Sequence, residues 1–190
     1  LDQAPCRIGP VGFVGNIGWY DFSFRLESLG VPLRFYQAKV APGAAAAMPR
    51  YRYLLNGQTD VTPQMLRITS RWMDGEYVHL PFSDEEFTRR LAEKLDAHLA
   101  EVSADCQQIV VGMHHLPFLE LARVSEDPDW AFGTAFMGSH LFGQVLQRWE
   151  KVRYLFCGHS HWRTASRQGN IQCINVGCTY RYKRFDVVDL

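Results

Sequence analysis

Residues 155–161 read LFCGHSH, and this stretch decides the expected fold because an apolar run stops at a glycine and is followed by two histidines. The apolar run before Gly158 predicts a strand that is buried on both faces, as in a parallel or mixed sheet covered by helices. The glycine is expected to turn the backbone. Loops that carry ligands in such sheets lie just beyond the carboxyl ends of the strands, so we expect His159 and His161 at a functional edge.

A second stretch has the same organisation. Residues 108–113 (QIVVGM) predict another buried strand, which His114 and His115 follow directly. Neutral imidazole is the commonest side-chain ligand for a transition metal, so two strands that each end in histidine favour a metal site. A structural zinc site that uses Cys157 would need close Cys-x-x-Cys or His-x3-His pairs, which the sequence lacks. A lone histidine after a strand is more commonly a hydrogen-bonded core or turn residue, and we give that interpretation to His79, His98, His115 and His140.

The two histidine stretches carry a family resemblance. Residues 114–118 (HHLPF) and 157–161 (CGHSH) resemble the last two signature blocks of the calcineurin-like metallophosphoesterases. Residues 14–21 (VGNIGWYD) are similar to a bacterial branch of that family, as is the pair of segments 72–74 (WMD) and 83–87 (SDEEF). The resemblance therefore runs over most of the chain.

The resemblance implies a fold, a cofactor and a reaction. It implies an α/β protein with a metallophosphoesterase-like β-sandwich flanked by helices, and two divalent metal ions (Mn, Fe or Zn). His114 and His159 would bind one ion and His161 the other, while His115 would support a ligand or contact the phosphate. The implied activity is that of a phosphatase, a hydrolase that cleaves a phosphoester with a hydroxide activated by the two metal ions.

Three earlier blocks of the family, Asp-x-His, Gly-Asp and Gly-Asn-His-Asp/Glu, are absent in intact form. Gly15 and Asn16 can be read as a degenerate third block in which Ile17 replaces the histidine, and the protein would then be a non-catalytic, phosphoesterase-like scaffold for partner binding. We favour a different interpretation, in which residues 7–14 are a turn and a strand that lie downstream of such a block.

We accordingly expect the chain to be the carboxyl-terminal portion of a longer metallophosphoesterase, incomplete on its amino-terminal side. Its partners would be a phosphoester substrate and the missing amino-terminal segment of the same protein. By itself the chain is expected to show little or no phosphatase activity, because three histidines are too few ligands for two coupled ions.

Composition limits the remaining choices. The chain has 190 residues, of which 47% are apolar and 13% aromatic, so residues 1–190 are predicted to form a single domain with a substantial core. Lys plus Arg equals Asp plus Glu at 20 each, which argues against nucleic acid or a membrane as partner. No apolar run approaches the roughly 18 residues that span a bilayer. The cysteines are scattered and odd in number, as expected of reduced thiols in a cytoplasmic protein: Cys6, Cys106, Cys157, Cys173 and Cys178.

Local patterns predict the other elements. Ser83 begins a capping box, and apolar residues then recur at helical spacing as far as Val102, which predicts an amphipathic helix of about five turns. Gly138 and Ser139 are expected to open a second helix. We also predict strands at 11–14, 171–176 and 184–188, a helix at 62–71 and a loop at 41–49. Residues 120–136 are expected to be irregular. Within them, Asp127 and Asp129 either contact the water shell of an ion or form a plain turn.

Overall fold

A six-stranded mixed sheet is the centre of the computed structural model, which describes residues 1–190. The strands are β1 (Cys6–Ile8), β2 (Val11–Asn16), β3 (Gln108–Met113), β4 (Val152–Cys157), β5 (Thr164–Gln168) and β6 (Ile171–Asn175). Their spatial order is β1-β2-β3-β4-β6-β5. The four central strands run parallel to one another, whereas β1 and β5 pair antiparallel at the two edges.

Helices flank this sheet, which confirms the predicted α/β class. The α-helices are α1 (Leu33–Gln37), α2 (Pro42–Ala47), α3 (Asp74–Tyr77), α4 (Asp84–Ser103), α5 (Pro128–Gly133) and α6 (His140–Gln147). Short 3-10 turns occur at Glu27–Leu29, Pro49–Leu54, Met65–Arg67, Leu119–Leu121 and Thr134–Phe136. None of the helices combines the length and the apolar character that crossing a lipid bilayer requires.

The parallel strands end together at one edge of the sheet. The register sets Asn16 of β2 beside Met113 of β3, and Cys157 of β4 beside Asn175 of β6. Residues that follow these strands are therefore close in space although they are far apart in the sequence. This edge is called the carboxyl edge below.

One face of the sheet is covered by α4 and α6, which also pack against each other. Their apolar side chains join those of the strands in a core of 23 buried residues, among them Leu95, Leu99 and Leu155. On the opposite face Tyr154 and Phe156 are only half-buried. All six strands belong to this single sheet, so the second sheet of a β-sandwich is not formed by these 190 residues.

A second core of 14 buried residues lies beside the first and holds α1, α2 and α5. The aromatic segment after β2 contributes Tyr20 and Phe22, which are 0% exposed. Trp19 packs against both cores and so connects them. Tyr20 and Phe22 are therefore part of the interior.

Two segments differ from their predicted local structure. The expected loop at 41–49 contains α2, in which Pro42 occupies the first turn. The expected helix at 62–71 is reduced to the turn Met65–Arg67, because the carbonyl groups of Ile68 and Ser70 accept hydrogen bonds from Gly43 and Ala41. Tertiary pairing with the preceding segment has overridden the local helix signal.

Three further segments also differ from prediction. Residues 120–136 contain α5, whose first turn is capped by the carboxylate of Asp127. Residues 184–188 form no strand, and β5 takes the place beside β6 instead. The strand β5 has alternating half-buried and exposed residues and was not predicted.

Candidate functional site

The carboxyl edge brings the two predicted histidine loops together. The amide of Gly158 donates to the carbonyl of His114 over 3.2 Å, which joins the loop after β4 to the loop after β3. The Nδ1 atom of His159 lies 3.1 Å from Nε2 of His114, and the ring centroids are 4.9 Å apart at an angle of 73°. His161 lines the same two cavities as these histidines, and its exposed ring meets the edge of Tyr180 at 5.1 Å.

The orientation of His159 fixes which nitrogen is free. Its Nε2 atom lies 3.2 Å from the carbonyl oxygen of Phe136. A carbonyl only accepts hydrogen bonds, so Nε2 is the protonated nitrogen and Nδ1 carries the lone pair. This lone pair faces Nε2 of His114, and the two nitrogens can therefore share a proton or a metal ion.

The protonation equilibria favour neutral rings. Burial, with repulsion from His114, lowers the pKa of His159 from 6.5 to about 4. Desolvation and the proximity of His161 also lower the pKa of His114. Neutral imidazole is the form that binds metals, so His159 is already in its ligand form at pH 7.

His115 lies behind this pair. It is 4% exposed and lines neither cavity, and its ring centroid is 4.1 Å from that of His159. Its Nδ1 atom donates to the carbonyl of Ile17 over 3.1 Å, while Nε2 has no hydrogen-bond partner. His115 is therefore packed behind the ring of His159 and does not reach the surface of either cavity.

The loop after β4 has an unusual backbone. His159 and His161 both have positive φ values, 61° and 55°. Such conformations cost non-glycine residues about 1–3 kcal/mol, so neighbouring contacts must hold the loop in place.

Asn175 at the end of β6 supplies those contacts. Its Nδ2 group donates to Oγ of Ser160 over 2.7 Å and to the carbonyl of Leu121 over 3.1 Å, and its Oδ1 accepts from the amide of Gly177. The side chain is 0% exposed. Asn175 was not among the predicted site residues, although a polar residue that ends a buried strand at the same edge as the histidines is a detectable signal.

Trp72 forms the other side of the site. Its indole stacks on Phe136 at 5.0 Å and 5°, and its edge approaches the ring of His159 at 5.8 Å. Asp74 fixes this indole by accepting from its Nε1 group over 2.8 Å, and the same carboxylate oxygen accepts from the hydroxyl of Tyr20 over 2.9 Å.

The residues present fit part of a metal site. Two nitrogens that bind one ion at about 2.1 Å lie about 3.0–3.4 Å apart for the usual angles between ligands. The observed 3.1 Å between His159 and His114 is within that range. No group of three or more histidine, cysteine or carboxylate side chains converges on one point, so the chain supplies an incomplete ligand set.

The other candidate ligands are used elsewhere. Asp127 caps α5, and Asp129 accepts from the amides of Thr69 and Ser70. Asn16 also has both polar atoms engaged, because its Nδ2 donates to the carbonyl of Leu91 over 2.9 Å and its Oδ1 accepts from the amide of Gly18 over 2.8 Å.

Two cavities meet at the histidines. One, of about 650 Å³, lies over the carboxyl edge and is lined by Asn16, Met113 and Phe156. The other, of about 600 Å³, is called the aromatic cleft here and is lined by Trp72, Met73, Trp130, Phe136, Met137 and Tyr180. His114, His159 and His161 line both cavities.

Fold and site together define an α/β protein with a histidine cluster at the carboxyl edge of a mixed sheet. No family model and no curated protein matches the sequence. The fold is similar to the crystal structure of a phosphopantetheinyl hydrolase from Mycobacterium tuberculosis, with a TM-score of 0.56 and 16% identity. The match covers 90% of this chain and 50% of that chain, so the protein spans half the length of that structure.

Proposed function

We propose that this protein is a metal-dependent phosphoester hydrolase in which His114 and His159 hold one divalent ion and His161 contributes to a second. The observation that carries the proposal is the 3.1 Å separation between a bare Nδ1 of His159 and Nε2 of His114. The similar fold of a hydrolase that acts on a phosphopantetheinyl group supports a phosphoester as substrate.

In this proposal, neighbouring groups position the histidines that would bind the ions. The carbonyl of Phe136 orients His159, and Asn175 holds the loop that presents His159 and His161. The position of His161 at the junction of the cavities suits contact with an ion that the substrate also reaches. The bound ions (Mn, Fe or Zn) would activate water as the nucleophile and neutralise charge on the phosphoryl oxygens.

The incomplete ligand set favours a second candidate function. Because no three side chains of the chain converge, a non-catalytic scaffold that binds a partner without metal is the alternative. The original reason for that alternative was an altered ligand block at Gly15–Ile17. Asn16 is engaged in holding β2 to α4, which weakens that reason and leads us to prefer the hydrolase.

The five free cysteines suit a reducing compartment, and we place the protein in the cytoplasm as part of this proposal.

Metal titration tests the proposal. The chain is titrated with Co²⁺ and followed by its visible absorption, in the wild type, in His159→Ala and in the control His79→Ala, which changes an exposed histidine outside the site. We expect His159→Ala to weaken Co²⁺ binding at least about 10-fold, because a ligand is lost, and His79→Ala to leave it unchanged. Equal binding by all three proteins would instead support the scaffold.

A further inference from the structure

The aromatic cleft opens directly onto the histidine cluster. Its volume of about 600 Å³ suits a small-molecule ligand. His159 and His161 line the cleft as well as the cavity over the carboxyl edge, so the rest of a molecule whose phosphate lies at the histidines can reach the cleft walls.

The walls present aromatic rings that are already held in place. Trp72 is fixed by Asp74 and by its stack on Phe136. Trp130, which also lines the cleft, donates from Nε1 to the carbonyl of Arg123 over 2.9 Å, and the guanidinium of Arg123 lies 5.1 Å from its ring centroid. Rings that are ordered before binding lose little conformational entropy when a ligand arrives.

The charged groups of the cleft are already paired. Asp74 accepts from Tyr20 and Trp72, and Asp129 accepts from two backbone amides. Arg71, which is the one Lys or Arg in the cleft lining, forms an ion pair with Glu76 at 2.6 Å. The cleft therefore offers ring faces and methionine side chains, with no unpaired cation for a second phosphate or an acidic peptide.

We infer that the substrate is a nucleoside monophosphate, whose base stacks in the aromatic cleft while its phosphate lies at the histidines. The inference rests on the proposed function and adds the class of the leaving group. Every nucleobase has a planar face that stacks on an indole, and such stacking strengthens binding by about 10-fold or more. A phosphoserine peptide or a polyphosphate lacks that face and would meet no free cation in the cleft.

The test measures binding of three probes to the full chain by calorimetry. Adenosine 5′-monophosphate carries both the base and the phosphate, adenosine carries the base alone, and glycerol 3-phosphate carries the phosphate alone. We expect adenosine 5′-monophosphate to bind at least about 10-fold more tightly than glycerol 3-phosphate. Trp130→Ala should weaken the binding of both adenosine compounds about 10-fold and leave glycerol 3-phosphate unchanged.

Trp162→Ala is the matched control. Trp162 and Trp130 are 46% and 43% exposed, and Arg123 stacks on both rings, but only Trp130 lines the cleft. The control should bind all three probes as the wild type does. Trp72→Phe is the second cleft variant, since it keeps an aromatic ring and loses the bond to Asp74; an intermediate affinity is expected.

Equal affinities for adenosine 5′-monophosphate and glycerol 3-phosphate would overturn the inference, as would wild-type binding by Trp130→Ala. Tighter binding of a phosphoserine peptide than of adenosine 5′-monophosphate would overturn it too. The adenosine measurement needs neither metal nor turnover, so failure of the metal titration with intact adenosine binding would reject the hydrolase and leave a base-binding cleft.

Discussion

At the scale of single residues, the site depends on side chains whose orientation and protonation are set by their hydrogen bonds. The carbonyl of Phe136 leaves His159 with a bare Nδ1, and that nitrogen faces His114. Sequence reasoning identified both histidines, because each follows an apolar strand. It could not identify the tautomer, since the acceptor lies 23 residues away and is a backbone atom.

Asn175 offers the sharpest test at this scale. Asn175→Ala removes the donor to Ser160 and Leu121 and the acceptor for Gly177, and leaves those groups unsatisfied. We expect the free energy of unfolding to fall by about 1–3 kcal/mol. Because the positive φ values of His159 and His161 lose their support, metal affinity should also fall about 10-fold to 100-fold.

Denaturant unfolding and Co²⁺ titration check the two parts of this prediction. The control is Asn170→Ala, since Asn170 also donates to a backbone carbonyl, that of Glu150, but lies in the turn before β6. It should leave Co²⁺ binding unaltered. A loss of stability in Asn175→Ala without a loss of metal affinity would show that the residue has only a structural part.

At the scale of secondary structure, α4 shows what the sequence determines locally. The predicted capping box and apolar stripe correspond to a helix that begins at Asp84, and Oγ of Ser83 accepts from the amide of Glu86 over 3.1 Å. The return half of the box is not formed, because the carboxylate of Glu86 pairs with Arg89 and Arg90 instead.

The apolar stripe of α4 leads to a second prediction, which concerns stability. Leu95 is 0% exposed in the core between α4, α6 and the sheet. Leu95→Ala is expected to reduce the free energy of unfolding by about 2–5 kcal/mol, from lost burial and the cavity left behind. Denaturant unfolding measures this, with Leu66→Ala as control because Leu66 is 41% exposed. If Leu95→Ala lost less free energy of unfolding than Leu66→Ala, α4 would not pack as described.

The elements that sequence reasoning missed are those set by distant partners. Residues 62–71 carry an N-terminal helix signal, but Ile68 and Ser70 pair with Gly43 and Ala41. Residues 41–49, which include two prolines, were predicted to form a loop, whereas Pro42 begins the helix α2. A proline is compatible both with a loop and with the first turn of a helix. Only the packing of α2 in the second core decides between the two.

At the scale of the whole molecule, the parallel centre of the sheet and its carboxyl edge were predictable. The strands β3 and β4 are mainly apolar, with Arg153 as the exposed exception in β4, and their carboxyl ends had to meet if the strands were parallel neighbours. The aromatic cleft was not predictable, because Trp72, Trp130 and Tyr180 belong to three separate segments. Trp72 and the helix α5, which carries Trp130, both pack in the second core, whose aromatic packing has no periodic signal, whereas Tyr180 follows β6.

Buried neutral histidines should make the metal-free protein sensitive to acid. The folded state lowers the pKa of His159 from 6.5 to about 4 and that of His115 well below 6.5, in both cases mainly by burial. Between about pH 6.5 and 4 the unfolded chain therefore binds more protons than the folded protein. The contribution of these two histidines to the free energy of unfolding is fully present above pH 6.5. It falls as the pH decreases, by about 1.4 kcal/mol per pH unit for each such histidine.

Urea unfolding at a series of pH values in the presence of a chelator measures this slope. In His159→Asn the slope between pH 6 and pH 4.5 should be smaller than in the wild type by about one proton equivalent, because one neutral buried imidazole is gone. His79→Asn, at an exposed position, should keep the wild-type slope. Carboxylates contribute equally to all three proteins, so the difference in slope reports the loss of His159 together with the repulsion that it exerts on His115. Identical slopes would mean that His159 is not held neutral by the fold.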